Sequence, residues 1–185
     1  MTHPRGSWLT LGACLLAVTM QMIDVTAVTV ALPSIGRDLN ASGAQQVWIP
    51  TAYLLAFACA LLTMARTGEV FGRRTVFVTG TALFAVMSVL CAYAPTAELL
   101  VLARVLQGIA GAAMSAQTVA IVTAAYTGTR RTTAFALYGG TAGLAGLAGP
   151  AIGALLLFLS ILGTGWGAVV LINAAIAVAA IAICR

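Results

Sequence analysis

The sequence reads as an all-α integral membrane protein of six transmembrane helices, and three observations predict this class. Hydrophobic residues make up 62% of the chain and charged residues only 7%, against about a quarter charged in a soluble domain. Mean hydropathy is +1.07. The 185 residues divide into six apolar runs, each near the roughly 20 residues that a helix needs to cross a bilayer. Short connections leave no length for a soluble domain. In hydrocarbon an unpaired backbone group is so costly that such runs form helices.

The first run spans about Trp8–Leu32 and is expected to end at Pro33. Arg5 precedes it, as in a secretory signal, but the uncharged stretch Gly6–Ile23 exceeds a typical signal core and five similar runs follow. The next spans are about Val47–Ala65, Val76–Ala94 and Glu98–Val122. The fifth, about Thr133–Leu159, lies in an uncharged stretch from Thr132 to Trp166 and is rich in glycine: Gly139, Gly143, Gly146, Gly149 and Gly153 all fall within it. Interior glycine weakens a helix in water by about 1 kcal/mol against alanine, yet in a membrane small residues let a neighbouring helix approach. Gly139/Gly143 and Gly149/Gly153 are therefore expected to be close-packed pairs. Pro150 removes a backbone donor and crowds the carbonyl of Gly146, so a bend or weak point is expected there. The sixth span is about Gly167–Cys184.

Charge fixes the expected orientation. Arg5, Arg66, Arg73, Arg74, Arg130, Arg131 and Arg185 fall on one side of the membrane, whereas Arg37 (beside Asp38) and Glu98 fall on the other. The positive-inside rule then places both termini in the cytoplasm. Trp8, Trp48 and Trp166 stand near span ends, where indole prefers the interface. The net charge of +5 does not indicate nucleic acid, since the arginines are scattered singly or in pairs. Cys14, Cys59, Cys91 and Cys184 lie in apolar runs without metal-ligand spacing and read as small hydrophobes; no metal site is expected. The single histidine, His3, lies outside the spans, so no Ser–His dyad or His-based metal site forms within the membrane, and an enzyme is not expected.

Two ionisable residues fall inside spans: Asp24 in the first and Arg104 in the fourth. Helical rise puts them about 13 Å and about 9 Å below the outer face, at similar depth. Each is costly against lipid and is expected to face the interior or a wet cavity. Arg104, Gln107, Gly108, Gly111 and Ser115 share one helix face, and Gln21 extends the polar face that carries Asp24. Two readings stay open. The pair either fixes helix packing with Asp24 permanently ionised, or Asp24 exchanges a proton in one conformation.

Five stretches in register resemble the N-terminal half of the major facilitator superfamily, in its fourteen-span branch of drug:proton antiporters. Ile23-Asp24-Val25-Thr26 through Leu32-Pro33 is similar to the span-one signature of that branch. The segment from Ala65 to Arg74, with Gly68, Glu69, Gly72, Arg73 and Arg74, resembles the loop motif between spans two and three. Arg104 through Ala113, with Gln107, Gly108 and Gly111, is similar to the span-four motif associated with proton coupling. Gly139–Ala154 resembles the span-five antiporter motif, and Trp166 with Leu171-Ile172-Asn173 resembles the start of span six. The resemblance implies six helices in two three-helix repeats, one half of a transporter that exports small lipophilic or drug-like molecules against an inward proton flow. It implies cavity and proton-coupling roles for Asp24, Arg104, Gln21 and Gln107, gating by the span-five glycines, and a cytoplasmic latch at Arg73 and Arg74. No cofactor is implied beyond the proton gradient.

The loop motif departs from the family pattern at Ala65, Glu69 and Val70, and positive-inside topology alone also accounts for its arginines. Ala154 replaces a glycine expected after Gly153. The implied partners are the bilayer, protons, a small-molecule substrate and a second bundle of six or more helices, since access alternates between repeats that rock against each other. A chain ending at Arg185 leaves three expectations: a fragment of a longer exporter, a truncated and inactive remnant, or a half-transporter pairing with another chain. Tyr53, Phe57 and Tyr138 are the aromatic candidates for substrate contact, with helix or lipid packing as the alternative.

Overall fold

The computed structural model describes residues 4–159 and 167–184. Six helices are present: α1 (Pro4–Asp38), α2 (Gly43–Phe71), α3 (Arg73–Ala92), α4 (Ala97–Ala125), α5 (Gly128–Leu159) and α6 (Gly167–Cys184). α1 to α5 each contain a stretch long and apolar enough to cross a membrane. α6 has 18 residues, which is about 27 Å at helical rise. The protein is thus a multi-pass, all-helical membrane protein. Trp166, His3 and Arg185 lie outside the described residues, as does the side chain of Arg5.

The helices reach past their apolar cores. α1 continues through Pro33 to Asp38 rather than stopping at the proline, because Pro33 removes only one ladder donor and the helix re-forms beyond it. α2 starts four residues before its expected apolar run because Ser42 and Gln45 form a reciprocal capping box. Thr96 caps α4 by accepting from the Leu99 N–H. Gly72 joins α2 to α3 at φ 90°, a conformation in which a Cβ is strained.

Packing follows a two-fold pattern. α4 packs on α2 and α3, α1 packs on α5 and α6, and α3 meets α6. Exchanging α1 with α4, α2 with α5 and α3 with α6 leaves this set of neighbours unchanged, so the bundle consists of two equivalent three-helix repeats. The first helix of each repeat, α1 and α4, is the most enclosed; α2 and α5 are the least. Two larger apolar clusters fill the interior, with a smaller one of Ile23, Ala27 and Ala145 between α1 and α5. Val28, Ile35, Ile49, Cys91, Leu100 and Ala103 form one of the larger two; Met20, Tyr53, Phe84, Ala110, Met114 and Ala177 belong to the other.

The glycines of α5 divide into two groups. A Cβ on Gly149 would collide with Thr26 Oγ1, and one on Gly153 would lie 3.2 Å from Ala27, so this pair carries the α1–α5 contact. At Gly139, Gly143 and Gly146 a Cβ would meet nothing within 4 Å among the described residues. Within this bundle, that face of α5 turns away from α1. α5 remains helical through Pro150.

Candidate functional site

Between the two larger apolar clusters lies a polar layer assembled from α1, α3, α4 and α6. Asp24 is 0% exposed and Arg104 1%. Arg104 Nη1 donates to Asp24 Oδ2 at 2.5 Å and to Gln107 Oε1 at 2.6 Å. Gln107 Nε2 donates to Asp24 Oδ1 at 3.0 Å and to Ser88 Oγ at 2.8 Å. Asn173 Nδ2 donates to the same Asp24 Oδ1 at 2.6 Å. The Cys91 thiol points at Gln107 Oε1, 3.6 Å away. Cys91 thus contributes a polar contact as well as apolar volume; Cys14, Cys59 and Cys91 form no disulfide.

The sequence dictates this arrangement through helix period. Arg104 and Gln107 sit three apart on α4 and point the same way, so one amide bridges the guanidinium and the carboxylate. Two glycines on that face bring α4 close to its neighbours. A Cβ on Gly108 would collide with the Tyr53 carbonyl and lie 3.1 Å from Phe57 N; one on Gly111 would lie 2.9 Å from Tyr53 Oη. The closeness places the Tyr53 ring under the guanidinium, with Arg104 Cζ 4.4 Å from its centroid, a favourable cation–π arrangement. Gln21 Nε2 donates to Tyr53 Oη at 3.0 Å, and Ser115 Oγ donates to Gln21 Oε1 at 2.6 Å.

An apolar cleft of about 510 Å³ opens beside the polar layer. Tyr53, Phe57 and Tyr138 line it with Leu54 and Leu62, and Gln21 and Ser115 supply polar groups in its wall. Tyr53 and Gln21 therefore belong to both the cleft and the charged network. Asp24 itself is covered by its three donors. A cleft of mostly apolar walls with a few placed polar groups is the usual form of a small-molecule site.

The loop motif forms a separate contact at the other end of α2. Gly68 lets the Gln117 amide lie against α2, where Gln117 Nε2 donates to Met64 O at 2.7 Å. Arg73 Nη1 donates to Ala120 O of α4 at 3.0 Å. Glu69 pairs with Arg66 at 2.8 Å on the exposed face. Gly68, Gly72 and Arg73 thus join α2 and α3 to α4, while Glu69 pairs within α2.

Asp24, Arg104 and Gln107, interior residues by sequence, bond to one another directly, and Tyr53 ties Gln21 to Arg104. The sequence assigns no contact to Ser88, Asn173 or Gln117. A lone amide within an apolar span was the available signal for Asn173 and Gln117.

Residues 14–185 match the family model of the Major Facilitator Superfamily. The chain is 38% identical to a probable actinorhodin transporter of Streptomyces coelicolor over 174 residues, covering 94% of this chain and 30% of that relative. It is 37% identical to the tetracenomycin C resistance and export protein of Streptomyces glaucescens, covering 94% of this chain and 32% of that one. A crystal structure of a bacterial homolog of the human lysosomal transporter Spinster, inward-facing and occupied, matches the fold with TM-score 0.84. Identity to it is 23%, covering 100% of this chain and 44% of that one. The chain spans about a third of the length of the curated relatives it matches.

Proposed function

The chain belongs to the Major Facilitator Superfamily, and on that premise we propose that it is the N-terminal bundle of a fourteen-span, proton-coupled exporter. Its cargo is a small lipophilic or drug-like molecule, and it acts as a carrier rather than an enzyme. The observation that carries this reading is the Asp24–Arg104 pair, sealed from solvent beside an apolar cleft and tied to it by Tyr53 and Gln21. A permanently buried pair is not a strong source of stability, since apolar residues of similar volume often serve as well. Its place next to a cleft favours function, as intramembrane ionisable residues usually have one.

Asp24 exchanges a proton with the outer face in one conformation and with the cytoplasm in the other. When it is protonated, the Arg104 charge keeps Gln107 Oε1 and the Tyr53 ring. Substrate seated on Tyr53 and Gln21 disturbs the layer that holds Asp24, so occupancy and protonation compete. The proton gradient supplies the energy, with no further cofactor. Asp24, Arg104, Gln21 and Gln107 form the coupling site.

The second bundle completes the cavity against α2 and α5, which carry exposed Leu54, Leu55, Leu62, Leu144 and Leu147. Alternating access then consists of rocking between bundles. Gly139, Gly143 and Gly146 face that partner, and Gly149, Pro150 and Gly153 let α5 bend against α1. Gly68, Gly72, Arg73 and Arg74 brace the cytoplasmic end. The carrier lies in the cell membrane with both termini in the cytoplasm.

The test uses the full-length carrier in lipid vesicles, with ethidium and tetracenomycin C as probes. Transport that rises with an imposed pH gradient and stops when a protonophore collapses it supports the reading. Transport indifferent to the gradient overturns proton coupling.

A further inference from the structure

Two side-chain amides donate to Asp24 Oδ1, and they differ in what their other ends do. Gln107 is saturated: Nε2 serves Asp24 and Ser88, while Oε1 accepts from Arg104 and from the Cys91 thiol. Reversing that amide would turn a carbonyl toward Ser88 and an NH₂ toward a guanidinium. Asn173 is not saturated. Its Nδ2 donates to Asp24, but its buried Oδ1 has no hydrogen-bond partner among the described residues. Rotation of this amide by half a turn therefore sacrifices no contact of the oxygen. A buried carbonyl without a donor is costly, so this one is an acceptor held in reserve.

From this geometry we infer that Asn173 reads the protonation state of Asp24 and transmits it to α6. The inference rests on Asp24 being the exchanging carboxylate. While Asp24 is ionised, Asn173 Nδ2 donates to it. Once Asp24 takes a proton from the outer aqueous phase, its carboxyl becomes a donor. The Asn173 amide then turns its free Oδ1 inward to accept that hydrogen, and the bond reverses when the proton leaves toward the cytoplasm. Around Asp24 the other packed helices supply Arg104 and Gln107 on α4, which touch it, Ser88 and Cys91 on α3, which bond to Gln107, and Tyr53 on α2, under Arg104. Arg104 and Gln107 keep one orientation in both states. Asn173 is the sole described contact of α6 with the carboxylate, so it is the positioning residue that lets α6 respond.

The experiment compares Asn173→Leu and Asn173→Ser in the full-length carrier, reading the pH profile of ethidium efflux from vesicles. Leu keeps the γ-branched shape, at a larger volume, but can neither donate nor accept. Ser is smaller, yet its hydroxyl does both. Loss of a charge-assisted donor weakens the ionised form more than the acid form. Asn173→Leu is therefore expected to move the pH midpoint of efflux upward by about one unit, with Asn173→Ser nearer the unmodified profile. An unmoved midpoint in Asn173→Leu, or better tolerance of Leu than Ser, overturns the inference and assigns Asn173 to packing alone. If Asn173→Leu does not fold, infrared difference spectra of the unmodified carrier with 13C-labelled asparagine decide instead. A side-chain amide band that follows the efflux midpoint supports the switch, and its absence overturns it. Asp24→Asn, run in parallel, tests the underlying reading: an unchanged pH profile there removes Asp24 as the exchanging group, an outcome distinct from any result at Asn173.

Discussion

Arg104 Nη1 lies 2.5 Å from Asp24 Oδ2 across a separation of 80 residues, with both side chains sealed from solvent. Removing one member leaves the other buried and uncompensated, at a cost of about 3–5 kcal/mol. Arg104→Ala is expected to lower thermal stability of the detergent-solubilised carrier by an amount in that range. Asp24→Asn combined with Arg104→Gln is expected to recover most of that stability while proton-driven efflux stays absent. A double variant no more stable than Arg104→Ala would contradict the pairing.

Tyr53 combines a ring under Arg104 with a hydroxyl that accepts from Gln21. Tyr53→Phe keeps the ring and loses the bond to Gln21, at about 0.5–1.5 kcal/mol. Tyr53→Ala removes the ring as well and opens a cavity, at about 3–5 kcal/mol. Thermal unfolding should rank the unmodified carrier above Tyr53→Phe, and Tyr53→Ala well below both. Efflux should follow the same order, because the residue also lines the cleft.

The glycines predict a contrast between helices. Gly108→Ala forces its methyl against backbone atoms of α2, which yield only by moving a helix. A loss of about 1–3 kcal/mol is expected. Gly143→Ala meets open space among the described residues and is expected to leave bundle stability unchanged or raise it by up to about 1 kcal/mol. Impaired efflux in a stable Gly143→Ala carrier would place that glycine at the contact with the second bundle.

At the other end of α2, Gly68→Ala is expected to push the Gln117 amide off Met64 O and lower stability by about 1 kcal/mol or more. Adding Gln117→Ala removes the obstruction and should restore part of the loss. Thermal unfolding of the two single variants and the double variant measures the coupling; strict additivity would deny it.

The fold was legible because six apolar runs of membrane length admit almost no alternative to helices. Asp24 and Arg104 were legible because a charge in such a run is rare and helical rise fixes its depth. Gln107, Gly108 and Gly111 followed from sharing a face with Arg104. The rest depended on which helices meet. Spacing at Gly139 and Gly143 marks a surface able to accept a close neighbour, yet it does not say which neighbour, and in this bundle α1 takes Gly149 and Gly153 instead. Pro33 looked like a terminus because soluble helices stop near proline, whereas α1 reaches Asp38. Asn173 and Tyr53 carried no local signal for their partners, since their roles arise where α6 and α2 approach α1 and α4.

In the proposed function, Asp24 is the group that exchanges protons against substrate. The direct measurement is proton release into weakly buffered detergent solution when ethidium or tetracenomycin C is bound by the purified full-length carrier. Release is expected from the unmodified carrier and none from Asp24→Asn, with binding of the probe retained. Undiminished release by Asp24→Asn would rule out Asp24 as the exchanging group.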